Sequence, residues 1–154
     1  MTTYLWLLRH GRATGQGNAA PLLPEGEKDI AELGRRFARE KHRPVKAFCS
    51  PLQRARDTAA IFIGELGVTL PVVVVPKLQP ESLPKDSLEA LFALGIPDGR
   101  VLVVSHLPLI AHLTLGLTGE TVDFQPGTLA EIEMDHQKLG GEITRILRPG
   151  DPES

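Results

Sequence analysis

Short apolar runs alternate along this chain with segments of helical periodicity. The runs, at residues 4–8, 45–49, 72–75 and 101–104, are largely apolar, which is typical of strands buried on both faces of a sheet. The segments between them place apolar residues three and four positions apart, as amphipathic helices do. These predicted helices begin near residues 25, 50, 83 and 108. The alternation predicts right-handed crossovers and a three-layer α/β/α fold with a mostly parallel central sheet.

Local features set the boundaries of several predicted elements. The four valines at 72–75 stand between two prolines and predict a central strand of ordinary length. Ser50 is expected to cap the free amides of the second helix, which Gly67 ends. Residues 129–134 and 142–147 alternate apolar and polar side chains around a turn with two glycines, which predicts a C-terminal antiparallel hairpin at the sheet edge.

Length and composition are those of an ordinary globular protein. The 154 residues, 42% of them apolar, are enough for a single domain over 1–154 with one core. A formal net charge of -2 does not favour a nucleic-acid partner. We expect residues 149–154, which are polar and turn-forming, to be a flexible tail.

The same features bear on location. The apolar run at 4–8 is too short for a signal peptide or a membrane span. The single cysteine, Cys49, favours a reducing compartment and is expected to be a half-buried thiol at a strand end. We therefore expect a cytoplasmic protein without a membrane partner.

Polar residues stand at three predicted strand ends. Segments 8–11, 50–55 and 105–108 follow the first, second and fourth strands. The carboxyl ends of parallel strands meet at one edge of a sheet, where helix N-termini offer free amides to anions. The segments are therefore expected to converge. They would bring together Arg9, His10, Arg54 and His106.

Two arginines and two histidines in one place suit a phosphoryl group. Each charge-assisted hydrogen bond is worth about 1.5–3 kcal/mol net, and a neutral imidazole can attack phosphorus in line. His10 is the expected nucleophile, because Gly11 leaves room for close approach. Arg54 is expected about one turn into its helix, with its side chain reaching back. Thr14 and Asn18 are candidates either for phosphate or substrate contact or for ordinary turn roles.

Other chemistry fits these residues less well. A metal site on His10 and His106 would lack a carboxylate at ligand-like spacing, and the arginines would repel a cation. Ser105 and His106 are neighbours along a strand and point to opposite faces, which argues against a serine nucleophile with a histidine base. We expect neither a metal nor a cofactor.

Three motifs in order carry a resemblance to a known family. They are LRHGRAT at 8–14, SPLQRARDTA at 50–59 and SH at 105–106. With them, nearly the whole chain resembles the histidine phosphatase superfamily, which has the phosphoglycerate mutase-like fold. The resemblance implies that His10 is phosphorylated, that Arg9, Arg54 and His106 bind the phosphoryl group, and that no metal is required.

Within that family the chain is most similar to the short phosphohistidine phosphatase branch, the SixA type. Larger members carry a long insertion over the pocket that often supplies an acidic residue, whereas this chain has only a short segment there. Pro80 stands at the position, two residues after a leucine, where the family often has that acid. Glu81 is the candidate general acid, with Asp86 as a second choice. A site without a dedicated acid is expected to favour P–N over P–O cleavage, because a protonated imidazole leaves neutral.

The sequence therefore predicts a phosphatase that acts through a phospho-His10 intermediate, with protein phosphohistidine as the favoured substrate. One alternative is a phosphatase for a small-molecule phosphate ester. Another is a non-catalytic module that binds phosphate or a phosphoprotein. A mutase is less favoured, since it needs a closed pocket that excludes water. The oligomeric state stays open.

Overall fold

Strands and helices alternate along the chain as the sequence predicts. The computed structural model describes residues 2–15 and 17–152. The elements in chain order are β1 (Thr3–Arg9), α1 (Pro24–Arg39), β2 (Pro44–Cys49), α2 (Gln53–Leu66), β3 (Val72–Val74), α3 (Pro84–Leu94), β4 (Gly99–Ser105), α4 (Leu109–Thr118), β5 (Leu129–Asp135) and β6 (Gly140–Leu147). A short 3-10 turn, Pro76–Leu78, precedes α3.

The six strands found in the described residues form one mixed sheet, in the order β3-β2-β4-β1-β5-β6. The first four strands of the chain are parallel to one another. β5 is antiparallel to both β1 and β6. The predicted α/β class and the C-terminal antiparallel edge hairpin are confirmed, and β5 joins that hairpin directly to the middle of the sheet.

Helices cover both faces of the sheet, because strand residues alternate between two apolar clusters. On one face, Trp6 and Leu8 pack with α1 and α2 side chains such as Phe37 and Phe62. On the other face, Leu5 and Leu7 belong to a cluster with residues of α3 and α4. The three-layer arrangement follows from this alternation.

The valine run is an edge strand, so the prediction of a central strand was wrong. Only Val72–Val74 pairs, and it pairs with β2 alone. Val74 is 41% exposed. Pro71 and Pro76 flank the run, and proline cannot donate to a sheet ladder, which suits an edge position.

The two ends of α2 compare differently with the sequence prediction. Gly67 ends the helix with a φ of 72°, a conformation that glycine adopts without steric cost. The helix begins at Gln53, and its N-cap Leu52 has no side-chain cap, so the predicted Ser50 cap was wrong. Ser50 Oγ instead accepts a hydrogen bond of 3.2 Å from Leu52 N, within a bend that precedes the helix.

Three smaller expectations concern single segments. Cys49 is 1% exposed, so the half-buried thiol was wrong, and burial raises its pKa to about 11. At the predicted tail, the Asp151 carboxylate accepts a hydrogen bond of 2.9 Å from Arg148 N; residues 153–154 lie outside the described range. Among the described residues, no helix has the length and hydropathy to cross a membrane.

Candidate active site

Three strand ends meet at one edge of the sheet. Arg9, the last residue of β1, lies opposite Ser105 in β4, and the end of β2 lies beside β4 as well. Two backbone hydrogen bonds of 3.1 Å continue the pairing, from His10 N to Ser105 O and from Ser50 N to Val104 O. The residues that follow each strand therefore leave the sheet side by side.

A cleft of about 480 Å³ opens at this edge. Arg9, His10, Arg54 and His106 all line it. The rings of the two histidines lie 4.9 Å apart between centroids, and Arg54 Nε lies 3.3 Å from His10 Nε2. The structure thus brings together the four side chains that the sequence singles out.

The hydrogen bonds of His10 fix which ring nitrogen carries the proton. His10 Nδ1 lies 2.7 Å from Gly11 O, and a carbonyl oxygen only accepts, so the hydrogen must be on Nδ1. The Nε2 lone pair then faces the cleft and accepts the Arg54 Nε–H. Burial, followed by the charges of Arg54 and Arg9, lowers the pKa of His10 to about 4. The ring is therefore neutral at pH 7, with an unprotonated Nε2.

Two guanidinium groups supply the positive charge of the cleft. Arg9 donates to Phe124 O at 2.7 Å, and Arg54 donates from Nη1 to Gly17 O at 3.1 Å. Burial and the charge of Arg54 lower the pKa of Arg9. An anion in the cleft offsets the repulsion between these two positive charges, which is the electrostatic basis for binding phosphate here.

His106 forms the inner wall of the cleft and is only 1% exposed. Its Nε2 lies 2.7 Å from Ser50 Oγ, whereas its buried Nδ1 has no hydrogen-bond partner in the described part of the chain. Burial, followed by the charges of His10, Arg54 and Arg9, lowers the pKa of His106 to about 3. This ring is also neutral at pH 7.

Other sequence candidates lie outside the lining of the cleft. Thr14 and Asn18 are exposed, and their described hydrogen bonds are backbone contacts, from Thr14 N to Pro21 O and from Gln53 N to Asn18 O. Glu81 is exposed and does not line the cleft. The predicted roles of these three residues stay predictions.

Two details of the cleft differ from the sequence expectation or add to it. Arg54 is the second residue of α2, in its first turn rather than a full turn inside the helix. Arg12 also lines the cleft and pairs with Asp29 at 3.1 Å. In the described residues, no group of three or more His, Cys, Asp or Glu side chains could hold a metal ion.

Sequence reasoning missed two hydroxyl groups that support the site. Ser50 contacts His106, as described above. Thr58 accepts a hydrogen bond of 3.1 Å from Gly11 N and donates one of 2.7 Å to Arg54 O, so it ties the loop after β1 to the start of α2. Both residues stand inside the 50–59 motif, and that was the one available sign of their importance.

The model of the histidine phosphatase superfamily (branch 1) matches residues 5–81. No curated protein sequence gave a match.

Several solved structures share the fold over nearly their whole length. The protein histidine phosphatase SixA, solved with tungstate, has a TM-score of 0.83 and 26% identity, with 95% of this chain and 97% of that chain covered. The proposed phosphohistidine phosphatase SixA from Nakamurella multipartitia has a TM-score of 0.81 and 22% identity, with 98% of each chain covered. The mycobacterial glucosyl-3-phosphoglycerate phosphatase has a TM-score of 0.71 and 17% identity, with 94% of this chain and 98% of that chain covered.

Proposed function

The chain belongs to the histidine phosphatase superfamily, and we propose that it is a metal-independent phosphatase that hydrolyses protein phosphohistidine through a phosphoryl intermediate on His10. The observation that carries the proposal is that the His10 ring is neutral and has its lone pair on Nε2, in a cleft that Arg9 and Arg54 also line. This is the arrangement that in-line attack on phosphorus requires.

The first step transfers the phosphoryl group to the enzyme. Arg54 Nε releases the Nε2 lone pair and turns to a phosphoryl oxygen. The Nε2–P bond forms while the bond from phosphorus to the leaving atom breaks, and the leaving atom keeps the electron pair. The Gly11 carbonyl, 2.7 Å from His10 Nδ1, stabilises the positive charge that develops on the ring. Arg9, Arg54 and His106 bind the phosphoryl oxygens.

The second step returns the enzyme to its starting state. Water attacks phosphorus from the side opposite Nε2, the P–Nε2 bond breaks, and its electron pair returns to the ring. The protons of the water stay on inorganic phosphate or pass to solvent. His10 is then neutral again, with its hydrogen still on Nδ1.

The lining of the cleft favours phosphohistidine as the substrate. The described residues that line it include no carboxylate, so no obvious acid is placed to protonate an alkoxide. A protonated phosphohistidine ring leaves as neutral imidazole and does not need that proton. The relative solved with tungstate, a tetrahedral oxyanion, is named a protein histidine phosphatase, which supports the same choice.

Phosphoenzyme labelling tests the mechanism. A histidine-phosphorylated protein carrying radioactive phosphate should transfer an alkali-stable, acid-labile label to the enzyme and release phosphate. His10→Ala should take no label. Phosphate binding without label or turnover in the wild-type protein would instead support a binding module.

Turnover of different substrates tests the substrate class. The phosphorylated protein should be hydrolysed faster than a small alkyl phosphate ester at equal concentration. A much faster reaction with the ester would support the alternative, a phosphatase for a small phosphorylated metabolite.

A cytoplasmic location, which the single cysteine favours, belongs to this proposal.

A further inference from the structure

Ser50 is a buried hydroxyl directly behind the inner wall of the cleft. The residue is 0% exposed, and its Oγ lies 2.7 Å from His106 Nε2. The same oxygen accepts the hydrogen bond from Leu52 N at 3.2 Å. Ser50 follows the last residue of β2 and therefore links the end of that strand to the ring of His106.

The Ser50 hydroxyl can take part in only a few hydrogen bonds. A serine hydroxyl has one hydrogen to donate, and Leu52 N–H already occupies one of its acceptor positions. The other described hydrogen-bond contact of this hydroxyl is His106 Nε2, which accepts the hydroxyl hydrogen when it carries no proton itself. A neutral imidazole has one N–H, so the proton of His106 would be on Nδ1.

The remaining nitrogen of His106 has no partner of its own. Nδ1 is buried without a hydrogen bond among the described residues, although the ring lines the cleft. Since Ser50 occupies Nε2, Nδ1 is the nitrogen left to donate to an oxyanion. A proton on Nε2 would leave only a lone pair at Nδ1, which would repel an oxyanion.

We propose that Ser50 is a positioning residue that holds His106 in the Nδ1–H tautomer, so that Nδ1 donates to the phosphoryl group in the cleft. This inference rests on the proposed phosphatase function for its purpose, but the tautomer itself is a property of the free protein. The low pKa of His106, about 3, supports this inference, because the ring is then neutral at pH 7 and carries its single proton on either Nδ1 or Nε2.

Nitrogen-15 NMR of the imidazole rings tests the tautomer directly. At pH 7 the His106 resonances, assigned by their loss in His106→Asn, should show a protonated Nδ1 and an unprotonated Nε2. Ser50→Ala should move the ring toward the Nε2–H form. A wild-type ring already in the Nε2–H form would overturn the inference, whatever the enzyme does to substrate.

Steady-state kinetics tests the consequence. By analogy with partners that orient metal-bound histidines, Ser50→Ala should lower kcat/KM for the phosphorylated protein by about 10- to 100-fold. Ser50→Thr, which keeps the hydroxyl, should restore part of it. Ser87→Ala is the matched control, because Ser87 is equally buried and donates to Lys77 O instead of a cleft residue.

The outcomes separate the two proposals. If the wild-type protein neither takes label nor releases phosphate, the proposed function fails, while the NMR result still decides the tautomer. If the wild-type protein turns over and Ser50→Ala matches Ser87→Ala in both tautomer and kinetics, the role of Ser50 is wrong.

Discussion

His10 and His106 are kept neutral by the same features that would bind phosphate. The two residues are 8% and 1% exposed, and both lie near the charges of Arg9 and Arg54. A nucleophile needs the neutral form, so burial among cations favours the proposed chemistry. The free energy of unfolding is lower in acid as a result, because both histidines can be protonated in the unfolded chain.

The free energy of unfolding should therefore fall as the pH falls from about 6.5 toward 4. The folded-state pKa values, about 4 for His10 and about 3 for His106, lie below the unfolded value, so the unfolded state binds more protons in this window. Linkage gives a loss of about 2 kcal/mol per histidine by pH 5. Urea unfolding from pH 7 to pH 5 measures it.

A matched variant isolates this effect from the titration of carboxylates. His10→Gln should lose less stability than the wild-type protein over the same pH range, by about 2 kcal/mol at pH 5. Parallel stability curves for the two proteins would contradict the low pKa of His10.

Glu81 is expected to contribute little to phosphohistidine hydrolysis. It is exposed and lies outside the lining of the cleft, and the protonated imidazole leaving group needs no acid. Loss of a true general acid costs about 100-fold or more. Glu81→Gln should change kcat for the phosphorylated protein by far less than that. A loss of that size, above all with an alkyl ester, would make Glu81 the acid and favour the ester alternative.

The loop after β1 is held against the first turn of α1. A side chain on Gly26, in that turn, would place its Cβ in collision with Arg12 O and 2.8 Å from Arg12 N. These are backbone atoms, which cannot move aside as a flexible side chain would. The close approach of α1 to residues 11–12 therefore depends on a glycine at position 26.

Gly26→Ala should both destabilise the protein and weaken phosphate binding. Overpacking typically costs about 1–3 kcal/mol, and the displaced loop carries His10. Gly64→Ala is the control, since a Cβ there meets nothing within 4 Å and alanine should stabilise α2 by up to about 1 kcal/mol. Urea unfolding and phosphate titration measure both variants. Phosphate affinity unchanged in Gly26→Ala would show that the loop does not depend on this contact.

The elements that the sequence predicted well are those with strong periodic patterns. The apolar runs and the turn residues after them were enough to predict the buried parallel strands β1, β2 and β4. Because parallel strands end at one edge of a sheet, they also predicted that His10 and His106 lie close together. The position of β3 did not follow, because four valines describe an edge strand as well as a central one. The bend at Ser50 could not be predicted either, because its hydroxyl contacts the ring of His106, 56 positions away in sequence.

The C-terminal part of the chain supports the cleft through the backbone. Arg9 donates to Phe124 O, 115 positions away in sequence, and Gly127 N donates to both Arg9 O and His10 O. Arg148, after β6, donates from Nε and Nη2 to Asp123 O at 3.1 and 3.0 Å. Backbone carbonyls carry no sequence motif, so this support could not be predicted.

Arg148 should therefore influence phosphate affinity without entering the cleft. Arg148→Ala removes both hydrogen bonds to Asp123 O, next to the carbonyl that orients Arg9. Loss of one hydrogen bond of ordinary strength, about 0.5–1.5 kcal/mol, corresponds to a dissociation constant for inorganic phosphate that is about 2- to 13-fold higher. Calorimetric titration at neutral pH measures it.

Arg145→Ala separates this effect from a general loss of charge or stability. Arg145 lies three residues earlier and forms a paired salt bridge with Glu40 at 2.9 and 3.1 Å, so its loss should reduce stability and leave phosphate affinity near the wild-type value. High salt provides the second control. Salt screens a through-space charge effect of Arg148, whereas misplacement of Arg9 persists, so equal affinities of Arg148→Ala and wild type in high salt would contradict a positioning role.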